Sequence, residues 1–263
     1  MSRRVSSGAP APLPFFDLPS PRVLAHRGLA VEAPENTMLA FVTALSRGAS
    51  YLELDVHASS DGVAVVSHDP DLTRVAGREG SVGDLTMDQL RSIDLGSGQN
   101  FCSLAEVLDA FADARLNIDI KAASAVQPTV DAILEAGASD RVLVTSFSER
   151  RRAAAVKQLP GVATSASAPV FVAALIAAKL GLSPVARRLL RDIDALQVPE
   201  TASGIRVTTP RIIRRFHSAG VEIHVWTVNE RADMARLLAL GVDGIITDRA
   251  DTALQLIDEL YPA

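Results

Sequence analysis

Short β-like runs alternate with helix-like runs along the whole chain, and this rhythm limits the fold to two α/β architectures. V-L-A-H at 23–26 reads as a first strand and E-N-T-M-L-A-F-V-T-A-L at 35–45 as its helix. Y-L-E-L-D-V at 51–56 is a second strand, L-N-I-D-I at 116–120 a third and V-L-V-T-S at 142–146 a fourth. V-A-T-S-A at 162–166 is a weaker fifth, and A-L-Q-V at 195–198 a sixth. V-E-I-H-V-W at 221–226 and G-I-I-T at 244–247 complete eight, with helix-like runs between them and a last helix over 252–260. Eight such units predict an α/β fold of the (β/α)8 TIM-barrel type, and 263 residues suit one barrel. A doubly wound sheet usually has fewer strands and a glycine-rich first turn, and neither G-x-G-x-x-G nor G-x-x-x-x-G-K-[ST] occurs.

One interval breaks the rhythm. Residues 58–103 separate the second strand from a helix at about 104–111, where a few residues normally suffice. The segment is rich in Gly, Asp and Ser, with a short helix T-M-D-Q-L-R at 86–91, and reads as a small insertion after strand 2 that caps the barrel mouth. Residues 1–14 read as a flexible leader, rich in Pro, Ser and Gly, and 15–263 as the barrel domain. Phe15 and Phe16 are placed to tether the leader to the barrel bottom.

The net charge of −5 supplies no dense basic face for a nucleic acid. Cys102 is the single cysteine, so disulfides within the chain and thiolate metal clusters are excluded, and it reads as a packed side chain. The N-terminus has no apolar core after its basic residues, so a cytoplasmic location is expected. The longest apolar run, 168–178, is too short to span a membrane and reads as a barrel helix. With R-R-L-L-R at 187–191 it leaves weak membrane-surface contact open.

The chemistry-bearing residues crowd into 26–69: H-R-G, P-E-N-T, E-L-D, D-G and H-D. Histidines near the midpoint of their titration suit proton transfer, and an arginine beside one suits an anion. Strand alternation puts Glu53 and Asp55 on one inward face near the mouth, where two carboxylates repel unless a cation lies between them. The same parity puts Asn117, Asp119 and Lys121 together, with Asp119 a third candidate ligand and Lys121 a phosphate-binding cation. Together these point to metal-assisted chemistry on a phosphoester.

These motifs, with N-I-D-I-K at 117–121, W-T-V-N at 226–229 and G-V-D-G-I-I-T-D at 241–248, resemble the signature of the glycerophosphodiester phosphodiesterase family, bacterial cytoplasmic type, over residues 23–251. The resemblance implies hydrolysis of a glycerophosphodiester to sn-glycerol 3-phosphate and an alcohol. It makes His26 and His68 the general acid and base, Arg27 a phosphate contact, and Glu35 a contact that orients His26 or Arg27. It implies a divalent metal, Mg²⁺ or Ca²⁺ with Mn²⁺ as a further option, on Glu53, Asp55 and Asp119. The family usually has Glu where Asp119 stands. Trp226 reads either as an apolar wall under the glycerol or as core packing, and Asn36 and Thr37 as helix caps. Asp243 and Asp248 read as turn and cap residues, His217 as exposed, His224 as a barrel-layer residue, and His57 as inward without a role. Alternative readings are a lysophospholipase D-like hydrolase of acylated substrates and a non-catalytic phosphodiester-binding barrel.

Overall fold

A computed structural model describes residues 13–202 and 204–262. The leader expected over 1–14 lies outside the described residues up to position 12. Eight parallel strands form the barrel: β1 (Arg22–His26), β2 (Tyr51–Ala58), β4 (Arg115–Ile120), β5 (Val142–Thr145), β6 (Ala163–Thr164), β7 (Ala195–Pro199), β10 (Glu222–Trp226) and β11 (Gly244–Thr247). Their order is β6-β5-β4-β2-β1-β11-β10-β7. The seam between β6 and β7 is joined by a parallel bridge, Ser165 to Ala195, and by Ala166 N–H donating to Ala195 O at 3.0 Å. This is the expected (β/α)8 barrel.

The outer layer follows the strands: α1 (Met38–Ser46), α4 (Leu104–Ala110), α5 (Val126–Glu135), α6 (Glu149–Val156), α7 (Ala168–Lys179), α8 (Ser183–Leu189), α9 (Pro210–His217), α10 (Arg231–Ala239) and α11 (Ala250–Leu260). Strand alternation sorts the core. Leu52, Leu54, Val56, Ile118 and Ile120 point out and pack with the helices. Leu24, Tyr51, Leu143, Ala163, Ala195 and Ile246 form an inner layer that Phe15 closes from below, its ring 5.3 Å from that of Tyr51. Arg22 seals this end, donating to Glu222, to Tyr51 Oη and to the backbone of Leu18 and Phe16.

Residues 58–103 contain β3 (Ala64–Val66), α2 (Thr73–Ala76) and α3 (Met87–Arg91). The run before His68 is thus a strand, paired antiparallel to β2 with Val56 opposite Val66. A separate cluster of Val65, Leu72, Val82, Met87, Leu90, Ile93 and Phe101 stabilises the segment. A second unforeseen pairing joins β8 (Thr201–Ala202) to β9 (Ile205–Arg206). Cys102 is buried, and burial pushes its thiol up to about 12, so it stays a protonated packing group.

Candidate active site

Register brings the carboxylates together. His26 pairs across from Glu53, Glu53 from Asn117, and Asp55 from Asp119. These side chains point into the barrel at the C-terminal ends of β1, β2 and β4, and Glu53, Asp55 and Asp119 are all buried. Lys121, just past β4, sits between two of them, its Nζ 2.8 Å from Asp55 Oδ1 and 2.7 Å from Asp119 Oδ2.

The H-R-G turn aims the next groups. Arg27 and Gly28 both take positive φ, 55° and 84°. A Cβ on Gly28 would come within 2.7 Å of the Ala40 backbone, so only glycine lets β1 turn this close to α1. The turn points the Arg27 N–H at Glu53 Oε2, 3.0 Å away. The Arg27 guanidinium donates to Glu35 Oε1 at 2.9 Å. Its Nε lies 3.0 Å from Asp55 Oδ2, an ion pair by distance although this N–H does not point at the oxygen.

Each motif histidine is held from behind by an aspartate. His26 Nδ1 is 2.6 Å from Asp248 Oδ1, and His68 Nδ1 is 2.7 Å from Asp69 Oδ1. A carboxylate can only accept here, so in each neutral ring the proton sits on Nδ1 and Nε2 carries the lone pair. Burial opposes charge on His26, but Asp248 and Glu53 outweigh it and raise its pKa above the ordinary value. Asp248, read from the sequence as a turn residue, is therefore a site residue. Asn229 fixes it further, donating to Asp248 Oδ2 at 2.7 Å.

Arg74 joins the two halves of the site. It donates to Asp69 Oδ2 at 2.5 Å and to both oxygens of Glu35 at 2.6 and 3.0 Å. His68 and Arg27 are thus linked through Asp69, Arg74 and Glu35. Glu35 meets Arg27, as one of its two expected partners, and not His26. The capping assignment of Asn36 is corrected: Thr37 is the N-cap of α1, while Asn36 donates to Asp55 Oδ2 at 3.1 Å. His57 is buried with its Nε2 3.1 Å from His68 O, where it supports the His68 loop. His217 meets Asp243, and His224 is fully buried in the barrel layer.

Charge in this pocket is unevenly compensated. Burial raises Asp55, but Lys121 and Arg27 outweigh it and hold its pKa below the ordinary value. Burial dominates at Asp119, whose pKa is raised, and its Oδ1 is buried without a partner. Burial, together with Asp55, pushes Glu53 up to about 8. Among the described residues no three His, Cys, Asp or Glu groups stand at ligand spacing, and the Lys121 amine lies between Asp55 and Asp119. The donor set still fits a hard divalent cation: three buried carboxylates, of which Glu53 and Asp119 are destabilised as anions and Asp119 has an unpartnered oxygen.

The mouth is a cleft of about 360 Å³. Its polar floor is His26, Arg27, Glu53, Asp55, His68 and Lys121, and its apolar wall is Trp226, Phe147 and Phe171. Trp226 stacks edge-on against Phe147, ring centres 6.0 Å apart, so it lines the cleft while packing on a neighbour.

Buried carboxylates, two cations and two aspartate-bonded histidines thus gather at the C-terminal rim of the barrel. The model of the Glycerophosphoryl diester phosphodiesterase family matches residues 26–252. The chain belongs to this family. "Probable glycerophosphodiester phosphodiesterase 2" of Mycobacterium tuberculosis is 47% identical over 87% of both chains. A glycerophosphodiester phosphodiesterase of Thermotoga maritima, of known structure, is 29% identical, covers 89% of this chain and 97% of its own, and superposes with a TM-score of 0.68. A phosphodiesterase of Oleispira antarctica, solved in complex with the product sn-glycerol-3-phosphate, is 23% identical and shares the fold, with a TM-score of 0.76 over 91% of this chain and 97% of its own. Family membership makes the chain a hydrolase of phosphodiesters. Among the described residues no helix is long and apolar enough to cross a membrane.

Proposed function

We propose that the chain hydrolyses glycerophosphodiesters to sn-glycerol 3-phosphate and an alcohol, with His26 and His68 as the general acid–base pair. The observation that carries this is the matched anchoring of the two rings. Each is bonded at Nδ1 to an aspartate and lines one cleft whose floor holds Arg27 and Lys121. A phosphodiester seated on those cations would share the cleft with both rings. One imidazole takes the proton of the attacking water, and the other gives a proton to the departing alkoxide. Asp248 and Asp69 stabilise whichever ring becomes imidazolium. Arg27 and Lys121 neutralise the phosphoryl oxygens, and Trp226 gives the carbon skeleton an apolar face.

Glu53, Asp55 and Asp119 would hold a divalent cation, of which Mg²⁺, Ca²⁺ and Mn²⁺ all suit oxygen donors. Bound there, the ion would supply Lewis-acid stabilisation of developing phosphoryl charge. The test is release of sn-glycerol 3-phosphate from glycerophosphocholine. His26→Ala and His68→Ala should each lower turnover by about 10²–10⁴, while His217→Ala, on a helix away from the cleft, should not. Near wild-type turnover in either cleft variant would remove that histidine from the mechanism.

A second reading rests on the apolar rim. Phe147, Phe171 and Val172 line the cleft, and Phe147 and Val172 are half exposed at its edge. Such a rim suits an acyl chain, and one rat relative, 25% identical, is named "Lysophospholipase D GDPD1". Comparing lysophosphatidylcholine with glycerophosphocholine separates the readings.

A further inference from the structure

The helices between β6 and β7 carry an apolar outer face. Val172 and Ile176 on α7 and Leu180 at its C-cap recur every fourth residue and are 50%, 55% and 70% exposed. Leu182, Val185 and Leu189 extend the surface onto α8, which packs against α7. These six make up nearly half of the large apolar side chains exposed among the described residues, within 18 positions. The solvent face of a barrel helix is ordinarily polar, so a cluster of this kind marks a contact surface.

Charge is just as unevenly placed. Residues 150–191 hold eight of the chain's 26 Lys and Arg side chains and none of its 31 Asp and Glu, in a chain of net charge −5. Lys179, Arg187 and Arg188 are all exposed beside the apolar face, and Arg191, also exposed, pairs with Asp192 at 3.3 Å. The face also reaches the cleft, since Phe171 and Val172 on the first turn of α7 line its wall.

We propose that α7 and α8 form a docking surface for an anionic lipid bilayer, which would seat the cleft rim at the membrane. Apolar side chains beside exposed cations complement acyl chains beneath anionic headgroups. A second copy fits less well, because a two-fold contact would bring together two patches flanked by cations and so of like charge. The proposal is independent of the reaction assigned to the cleft, because its test reads binding and not turnover.

The test is co-sedimentation of the full chain with phosphatidylglycerol–phosphatidylcholine vesicles and with pure phosphatidylcholine vesicles. Binding is expected to the anionic vesicles and to weaken as salt shortens the screening length. Arg187→Glu with Arg188→Glu, and separately Ile176→Asp with Leu180→Asp, should each weaken it by about tenfold or more. Unchanged circular dichroism and thermal melting confirm that each variant folds, and the charge pair, fully on the surface, decides if the apolar pair does not. Absent binding to anionic vesicles, equal binding to neutral ones, or unaltered binding by the charge variant would overturn the proposal. So would a dimer that Leu180→Asp dissociates with no vesicle binding, which would identify the occupant as a second copy.

Discussion

His26 and Asp248 lie 222 positions apart in sequence and 2.6 Å apart in space. The bond spans adjacent strands, β1 and β11, and fixes which ring nitrogen of His26 faces the cleft. Asp248→Asn keeps the shape but can present an amide N–H in place of an acceptor. Turnover should fall by about tenfold to a thousandfold. Because Asp248 raises the His26 pKa, the limb of the pH–rate profile that belongs to His26 should move to lower pH. An unmoved profile would show that this carboxylate does not act through the ring.

The proposed divalent cation on the three buried carboxylates makes metal dependence the expected outcome. Chelator should abolish turnover, and added Mg²⁺, Ca²⁺ or Mn²⁺ should restore it. Asp119→Asn removes one negative charge beside Lys121 and should raise the metal concentration for half-maximal activity by about tenfold or more. Asp119→Glu restores the family's usual residue and should remain active. An unchanged midpoint in the Asn variant would leave Glu53 and Asp55 as the only ligands.

Arg74 is half exposed, yet it ties Asp69 to Glu35. Arg74→Ala should lower kcat by about tenfold to a hundredfold through misplacement of His68 and Arg27. The urea midpoint should hardly move, since exposed ion pairs contribute little to folding. Arg74→Lys keeps the charge without the two-pronged geometry and should recover only part of the rate. Equal loss of stability and rate would assign Arg74 a folding role instead.

At the opposite end, burial raises Glu222, but Arg22 and His224 outweigh it and hold it at about 2, against an ordinary 4.5. A depressed carboxyl stabilises the fold fully above its unfolded value and loses that contribution as pH falls through the folded one. Denaturant unfolding should therefore show a loss of about 2 kcal/mol between pH 5 and pH 2 that Glu222→Gln lacks. The same slope in both proteins would place the acid sensitivity elsewhere.

Much of the site was legible because it is local or periodic. Strand alternation alone puts Glu53 with Asp55, and Asp119 with Lys121, on inward faces, and the structure keeps all four there. The roles of Asp248, Arg74 and Asn36 were missed because they reach His26, Glu35 and Asp55 on other strands or loops, and a residue that can cap a helix or end a turn carries no local sign of a distant bond. Short pairings such as β3 on β2 escaped for a similar reason, since three apolar residues suit a loop as well as a strand.

By itself the sequence determined the eight β/α units, the inward carboxylates and the family, because a period of two and an ordered set of motifs are properties of the chain alone. The tertiary structure decided the connections: that β11 stands beside β1, that Lys121 lies between Asp55 and Asp119, and that Arg74 reaches Glu35. Barrel closure sets those distances. It places the strand ends in a ring about one mouth, so residues far apart in the chain become hydrogen-bond partners only once the last strand has paired with the first.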